Sequence, residues 1–400
     1  MDDRRYDNPR TLTRRTLFRH GGVAVAGAVA ADTLGSGQRA LASAVLSRDV
    51  DANGSELRPR DALASILAAL DRCPLVALGE RHLLQEMHDL YGALLLHPAL
   101  PSKITDIVVE FGNALHQDLA DRFILGDRPV GREELAQIWR FTIGGNILWD
   151  APVYERFLRT VRAVNWMLPV RRRIRVLLGD PPFDHHGLRS SADKDYVLSM
   201  QRQRDAHYAG VVEREVLSKG RRALLIAGSN HLLRGLHSGD DPQGLNAGTQ
   251  LAQRHPGSLY VVDLLVLPPG LQQDPLLQHT IDAVAHWPRP SVATLAGTWL
   301  GATTQSVEPW VNSAAYLAAT PASVRFGAQA DAVLYLGPGE TLTASQADPA
   351  LYHWGAYAAE LQRLSRVVTQ ITGQPTDLVA EGLRRAQLGP SWFAQYAQHK

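Results

Sequence analysis

The feature that most constrains the fold is a series of short apolar runs that alternate with segments of helical spacing. The runs are residues 74–79, 104–112, 173–180, 222–228 and 258–267. Strands that are apolar along their whole length and alternate with helices are typical of a parallel sheet covered on both faces. The sequence therefore predicts an α/β fold with a mainly parallel sheet.

The chain divides into four predicted parts, which are residues 1–44, 45–60, 61–267 and 268–400. The first is a targeting segment, the second a linker and the third the α/β core. The last is a C-terminal extension of mixed α/β structure that completes the core or packs on it. It contains one strand-like run and one strong helical pattern.

The first 44 residues have the three parts of an export signal in order. Arg14 and Arg15 precede a short apolar stretch at residues 21–31, and Ala42–Ala44 supplies a small-residue cleavage site. The stretch is too short to span a bilayer, and paired arginines in this context match a twin-arginine signal. We expect export by the twin-arginine machinery to the periplasm or the medium. We expect no stable membrane anchor after cleavage.

Charge and cysteine content exclude several classes of function. Residues 1–44 hold seven arginines and four acidic residues, which leaves 34 basic and 36 acidic residues and a net charge of −2. A nearly neutral protein has no broad attraction to nucleic acid, so no nucleic-acid partner is expected. Cys73 is the only cysteine, which excludes an intrachain disulfide and an all-cysteine metal site. The sequence contains no Gly-x-Ser-x-Gly nucleophile motif.

Ionisable residues stand at or just after the ends of four predicted strands. Glu80 and His82 follow the first strand, Glu110 and Asp180 end the second and third, and His231 follows the fourth. The first and fourth strands both end in Gly-x-x-His. Because ligands bind at the carboxyl ends of strands in open α/β sheets, we expect these five side chains to share one site.

One chemistry for this set uses a metal. His82, His231, Glu110 and Asp180 would hold a divalent cation, and imidazole and carboxylate ligands suit Zn, Mn, Co or Fe. The metal would lower the pKa of a bound water, and Glu80 or Glu110 would act as general base.

The other chemistry needs no metal. A histidine activates water, a carboxylate orients it, and Arg81 or Arg234 stabilises the anion that forms. Spacing alone does not decide between the two chemistries. A purely structural use of the same residues, as helix caps and loop contacts, also stays open.

Other residues are candidates for the rim of the pocket. Trp149 lies in a Gly-rich segment and would form an aromatic wall for a substrate, or belong to the core. Asp205 lies on a predicted helix over residues 193–219 and would face the site or solvent. His185 and His186 follow the third strand in a proline-containing loop, where they are alternative metal ligands.

The motifs in order resemble one known superfamily. "LGERH", "IVVEFG", "RVLLGD", the "RD" of residues 204–205 and "LLIAGSNHLLRG" resemble, in this order, the erythromycin-esterase-like, ChaN-like and TIKI/TraB superfamily over about residues 60–267. Carried over residue by residue, the resemblance implies that Glu80, His82, Glu110 and His231 are the catalytic positions. Ser229 and Asn230 stand where glycines often precede the late histidine, and Asn230 is a candidate substrate contact.

The resemblance implies a function as well as a fold. The superfamily includes hydrolases of macrolide esters, metal-dependent peptidases and haem-binding lipoproteins. We therefore expect an exported hydrolase of an ester, lactone or amide bond, with or without a divalent metal, acting on a small molecule or peptide. The alternative is a haem- or metal-binding uptake protein without catalysis. The lipid-attachment cysteine of ChaN lipoproteins is absent from this sequence.

Overall fold

The computed structural model describes residues 54–392, apart from 146, 268–274, 305–316 and 320–323. The predicted targeting segment, with Arg14 and Arg15, and most of the linker lie outside these residues. The strands are β1 (Arg60–Asp61), β2 (Leu75–Glu80), β3 (Asp106–Asn113), β4 (Arg175–Asp180), β5 (Ala223–Gly228), β6 (Leu259–Leu264), β7 (Ser291–Thr294) and β8 (Ala332–Tyr335).

The described strands form one sheet in the order β1-β7-β8-β6-β2-β5-β3-β4. The neighbours from β8 to β4 are all parallel, whereas β7 runs antiparallel to both β8 and β1. This arrangement confirms the predicted α/β class with a mainly parallel sheet. The antiparallel strand β7 was not predicted.

Helices cover both faces of the sheet. In chain order they are α1 (Ala62–Arg72), α2 (Gln85–Leu96), α3 (Gln117–Leu125), α4 (Arg132–Ala136), α5 (Pro152–Trp166), α6 (Lys194–Arg202), α7 (Arg204–Glu215), α8 (Ser229–Leu232), α9 (Ala247–Arg254), α10 (Pro275–Val284), α11 (Trp299–Ala302), α12 (Phe326–Gln329), α13 (Gly355–Thr372) and α14 (Leu378–Ala386). None of these helices is both long and apolar enough to cross a membrane.

Successive strand residues enter two different cores. Val76 and Leu78 of β2 pack with α1 to α5 on one face, and Leu75 and Ala77 pack with α7 to α12 on the other. Because side chains alternate across a strand, only an apolar run can satisfy two buried faces. The central strands are therefore apolar along their length, and the ionisable side chains of the candidate site lie at their ends.

The predicted helix over residues 193–219 is divided into two. Helix α6 ends at Arg202 and α7 begins at Arg204, with Gln203 between them at φ −85° and ψ −7°. The Gln203 N–H still donates to the Ser199 carbonyl, and the Gln203 carbonyl accepts from the His207 N–H, so the interruption is confined to one residue. The first residues of α7, Arg204 and Asp205, contact side chains at the carboxyl ends of the strands.

The C-terminal extension joins the core in two ways. Strands β7 and β8 extend the sheet, while α13 and α14 pack in a third apolar cluster with Phe141 and Phe183. The extension also holds the loop after β2, residues 81–84, which we call the histidine loop. Ser345 donates its N–H to the Leu83 carbonyl at 2.7 Å, and the Trp392 indole donates to the His82 carbonyl at 2.9 Å.

Candidate active site

The predicted residues meet at the carboxyl edge of β2, β5, β3 and β4. Glu80 and Asp180 end β2 and β4, and His231 lies on the short helix α8 directly after β5. Glu110 differs from the expectation, because β3 continues three residues beyond it to Asn113. The pairing of β3 with β5 ends at Val109, and its pairing with β4 shifts register between Val109 and Asn113. Glu110 therefore still lies where the regular pairing of β3 ends.

The glycine of each Gly-x-x-His motif is explained by close packing across neighbouring strands. A Cβ on Gly79 would lie 2.5 Å from Ser229 Oγ, and a Cβ on Gly228 would lie 3.2 Å from the His82 ring and 3.4 Å from Glu110 Oε2. Gly228 pairs with Glu80 in the register of β2 and β5. Glycine therefore lets the two motifs approach each other.

The first histidine pairs with a buried carboxylate. His82 Nδ1 lies 3.1 Å from Glu80 Oε1, which also accepts a hydrogen bond from Tyr154 Oη at 3.1 Å. Burial alone raises the pKa of Glu80, but the nearby His88 and His82 outweigh it and bring the pKa to about 2. Glu80 is therefore ionised and holds the His82 ring through Nδ1.

Hydrogen bonds hold the histidine loop in a strained backbone conformation. Leu83 has a φ of 70°, which is costly for a residue with a branched side chain. Its N–H donates to Tyr154 Oη at 3.1 Å and its carbonyl accepts from Ser345. Trp149 supports the other side, with its ring edge-on to His82 at a centroid distance of 4.7 Å. The His82 ring is fixed, yet its side chain is still 29% exposed.

The second histidine pairs with Asp205. His231 Nδ1 lies 2.8 Å from Asp205 Oδ1, and Asp205 also accepts from Ser238 Oγ at 2.5 Å and from the Ala247 N–H at 2.9 Å. Burial opposes the charged forms, but the pair outweighs it: the pKa of Asp205 is lowered and that of His231 is raised well above its usual value. Asp205, predicted to bind substrate, has contacts that make it the orienting group of His231.

Glu110 lies between the two histidines. Its Oε2 accepts the Gly228 N–H at 2.6 Å and lies 4.0 Å from His82 Nε2, while its Oε1 lies 3.3 Å from His231 Nε2. Burial raises the pKa of Glu110, but His231, His82 and Arg204 together hold it well below its usual value. Two carboxylate-bound histidines thus face one ionised carboxylate.

Arg204 joins three carboxylates behind this arrangement. It donates to Glu110 Oε1 at 2.7 Å, to Asp180 Oδ1 at 3.0 Å and to Asp240 Oδ2 at 2.8 Å. Burial raises the pKa of Asp180 to about 6 even though Arg204 opposes the shift. Asp180 also accepts the Ile143 N–H at 2.7 Å.

These contacts do not fit the predicted metal site. Among the described residues, none of its four ligands belongs to a group of three or more ligand atoms that lie within 4.8 Å of one another. Two of the four, Glu110 and Asp180, are also bound by the Arg204 guanidinium, which would repel a cation at this position. The Glu110 and Asp180 carboxylates belong to an ion-pair network around Arg204.

The remaining predicted residues are placed in different surroundings. Trp149 is buried and donates to Thr142 Oγ1 at 2.8 Å, so it supports His82 and does not form an open wall. The backbone carbonyl of the half-buried Asn230 accepts a hydrogen bond from the Asn246 side chain at 2.6 Å. Arg81 is buried close to Asp263 on β6. Burial raises the pKa of Asp263, although the charge of Arg81 opposes this shift. Arg81 and Asn230 are next to the site histidines in sequence, and Trp149 is next to His82 in space.

Arg234 and the loop histidines lie away from the two pairs. Arg234 binds Asp331 at 3.0 Å and the Ala328 carbonyl at 3.0 Å, which gives it a structural role instead of the predicted anion contact. His185 stacks on Phe141, and both His185 and His186 approach Glu360 of α13. They contact the C-terminal extension.

The sequence analysis missed two site residues. Arg204 was part of the "RD" motif at residues 204–205, but no role in the site was predicted for it. Tyr154 gave no signal, because its hydroxyl reaches Glu80 from a helix 74 positions away along the chain.

A buried carboxyl next to Trp149 predicts a measurable pH effect on stability. Asp150 accepts from Tyr352 Oη at 2.9 Å and Tyr357 Oη at 2.6 Å, and burial raises its pKa to about 6 although the tyrosines and Arg140 oppose this. The folded state thus holds the proton more tightly than the unfolded state. The resulting stability is present below about pH 4 and lost as the pH rises through about 6.

Asp150→Asn removes this titration. Relative to wild type, the free energy of unfolding of the variant is expected to rise by up to about 3 kcal/mol between pH 4 and 7. Urea unfolding at each pH measures the difference, and the exposed substitution Asp282→Asn serves as the control with a flat difference. A constant difference between Asp150→Asn and wild type across this range would contradict the shift.

Together, the fold and the site define an α/β protein with two histidine–carboxylate pairs at the carboxyl ends of its parallel strands. Its structure is similar to a histidine-to-asparagine mutant of erythromycin esterase EreC in its open conformation. The TM-score is 0.51 at 13% identity, over 71% of this chain and 98% of that chain. A protein from Bacillus cereus has a TM-score of 0.51 at 9% identity, over 78% of this chain and 100% of that chain.

A haem complex of ChaN from Campylobacter jejuni is also similar, with a TM-score of 0.34 at 16% identity, over 52% of this chain and 86% of that chain. No protein-family model and no curated protein matches the sequence. The erythromycin esterase structure confirms the predicted resemblance at the level of the fold.

Proposed function

We propose that this protein hydrolyses an ester, lactone or amide bond, with His82 as the general base. The observation that carries the proposal is the convergence of the two histidine–carboxylate pairs on Glu110. A carboxylate on Nδ1 fixes the tautomer and direction of an imidazole and leaves Nε2 for the reacting group. His82 is the more exposed of the two rings, at 29% against 17% for His231.

The proposed step is attack by water. His82 Nε2 removes a proton from a water molecule as its oxygen bonds to the acyl carbon, and the carbonyl π electrons move to the carbonyl oxygen. When the intermediate collapses, the bond to the leaving oxygen or nitrogen breaks, and the imidazolium of His82 returns the proton to that atom. Water and substrate are consumed, and an acid and an alcohol or amine are formed.

Glu110, His231 and Arg204 supply the charge around this step. The Glu110 carboxylate, 4.0 Å from His82 Nε2, orients the water or stabilises the imidazolium when it forms. Glu110 is itself held by the Gly228 N–H, His231 and Arg204, so it cannot turn away. The site is arranged in advance of the reaction, which is where most electrostatic catalysis originates.

The fold comparison supports this class of reaction. Erythromycin esterase EreC, which shares the fold, is named for cleavage of an ester. The resemblance of the sequence motifs points to the same four positions, Glu80, His82, Glu110 and His231. We place the reaction outside the cytoplasm, because the N-terminal sequence has the parts of a twin-arginine signal.

The test is a panel of ester, lactone and amide substrates, including macrolides, with the chain purified in parallel as wild type and as Glu80→Gln. We expect turnover of at least one ester or lactone and a loss in the variant that is smaller than the loss in His82→Ala. His255→Ala, on a surface pair with Glu213, is the matched control. No turnover by folded wild type on any member would contradict the proposal.

Haem uptake without catalysis is the second function that the resemblance implies. His82, the more exposed of the two rings, would bind the haem iron, with Trp149 edge-on to the ring and Tyr154 bound to the N–H of the next residue, Leu83. Titration with haemin separates the two functions. A Soret shift that is lost in His82→Ala, without turnover of any substrate, would favour the binding protein.

A further inference from the structure

Three side chains outside the proposed active site bring ligand atoms together in a surface groove. His185 Nε2 and His186 Nδ1 lie 3.5 and 3.6 Å from Glu360 Oε1. In the part of the chain that the structure describes, this is the only group of three or more His, Cys, Asp or Glu ligand atoms within 4.8 Å of one another. The histidines follow β4, and Glu360 lies on α13 of the C-terminal extension.

The spacing of these atoms suits a tetrahedral metal ion. Zinc binds imidazole nitrogen and carboxylate oxygen at about 2.0–2.2 Å, which places ligand atoms of one tetrahedron about 3.3–3.5 Å apart. The two nitrogen–oxygen distances are close to this value. The two nitrogens lie within 4.8 Å of each other, so a cation that binds all three atoms has only this third distance to adjust.

The buried ring of His185 is the second observation that points to a ligand. His185 is 3% exposed and stacks on Phe141, with ring centroids 4.0 Å apart. Among the described residues neither of its ring nitrogens has a hydrogen-bond partner. Buried polar atoms nearly always have a partner, and the Nε2 of His185, 3.5 Å from Glu360 Oε1, is available to bind a ligand.

Arg363 holds Glu360 without using all of its acceptor positions. It donates through Nε to Oε2 at 2.8 Å and through Nη2 to Oε1 at 2.6 Å, and it also binds the carbonyls of His185 and Leu188. Each carboxylate oxygen accepts at two positions, so Oε1 can bind a metal as well. The charge of Arg363 weakens cation binding, so we expect lower affinity than in a site with four protein ligands and no arginine.

We infer that His185, His186 and Glu360 bind a divalent transition metal, and that zinc fits best. Two imidazoles and one carboxylate favour zinc over magnesium or calcium, which prefer oxygen ligands. The fourth position opens to the groove, where Arg189 and Arg366 would attract an anion to it. The metal would tie α13 to the loop after β4, so binding also stabilises the C-terminal extension on the core.

The test is a zinc titration of the full chain, purified without a metal-binding tag, by calorimetry, with Co²⁺ absorption to report tetrahedral geometry. We expect one equivalent of zinc and a rise in melting temperature with excess zinc. His186→Ala and Glu360→Gln are each expected to lower the affinity at least about tenfold and to abolish the thermal shift. His186 is 72% exposed, so its replacement leaves the fold intact.

Two controls separate this site from the proposed active site. His82→Ala and His255→Ala are expected to bind zinc as wild type does. Absence of zinc binding by folded wild type, or binding that His186→Ala and Glu360→Gln leave unchanged, would overturn the inference. Zinc binding that is lost only in His82→Ala would also overturn it and would locate the metal at the active site instead.

Discussion

His82→Ala is expected to lower kcat/KM for a hydrolysed ester or lactone by about 10³-fold, because general base catalysis contributes about 10²–10⁴-fold. The loss should fall mainly on kcat, since His82 acts on water and not on the bound substrate. Steady-state kinetics of the variant beside wild type measures the effect. The melting temperature should change little, because the side chain is partly exposed and its backbone contacts are kept.

Glu80→Gln and His255→Ala complete this experiment. The glutamine can still contact the ring but carries no charge, so an intermediate loss of kcat is expected if Glu80 positions His82. The surface substitution His255→Ala should retain full activity. Activity in His82→Ala within a few-fold of wild type would assign the base to another residue.

Arg204→Met is expected to cost about 3–5 kcal/mol of unfolding free energy, because removing one partner of a buried ion pair leaves uncompensated charge. Here the loss leaves Glu110, Asp180 and Asp240 together without their common cation. Urea and thermal unfolding measure the effect. The loss of unfolding free energy should become smaller as the pH falls from 8 to 5. Without the guanidinium, the buried carboxyls of Glu110 and Asp180 take up protons more readily, which removes the uncompensated charge.

Arg122→Met is the matched control for this prediction. Arg122 forms an ion pair with Glu134, and both side chains are about half exposed, so its removal should cost about 0–1 kcal/mol. A deficit for Arg204→Met no larger than that of Arg122→Met would show that the buried network contributes little to stability.

Much of the sheet could be predicted because burial on two faces leaves a clear pattern. Strand β2 begins one residue after the predicted start, and β4 ends at the predicted Asp180. Strand β7 could not be predicted, because four residues among prolines and glycines are too few to show a period. Its direction is set by pairing with β8, which is distant in sequence.

The site was predictable where it depends on strand ends. Glu80, His82, Glu110 and His231 meet because parallel neighbours place their carboxyl ends together. The contact between Glu110 and Arg204 was not predictable, because the two residues are 94 positions apart and nothing in their spacing shows that the guanidinium reaches the end of β3.

The bond between the Trp392 indole and the His82 carbonyl joins residues 310 positions apart. During synthesis the histidine loop leaves the ribosome 310 residues before Trp392, which binds its backbone. All eight described strands also precede Trp392, so the sheet can form before this contact does. The last hydrogen bond to the backbone of His82 therefore forms on a core that is already folded.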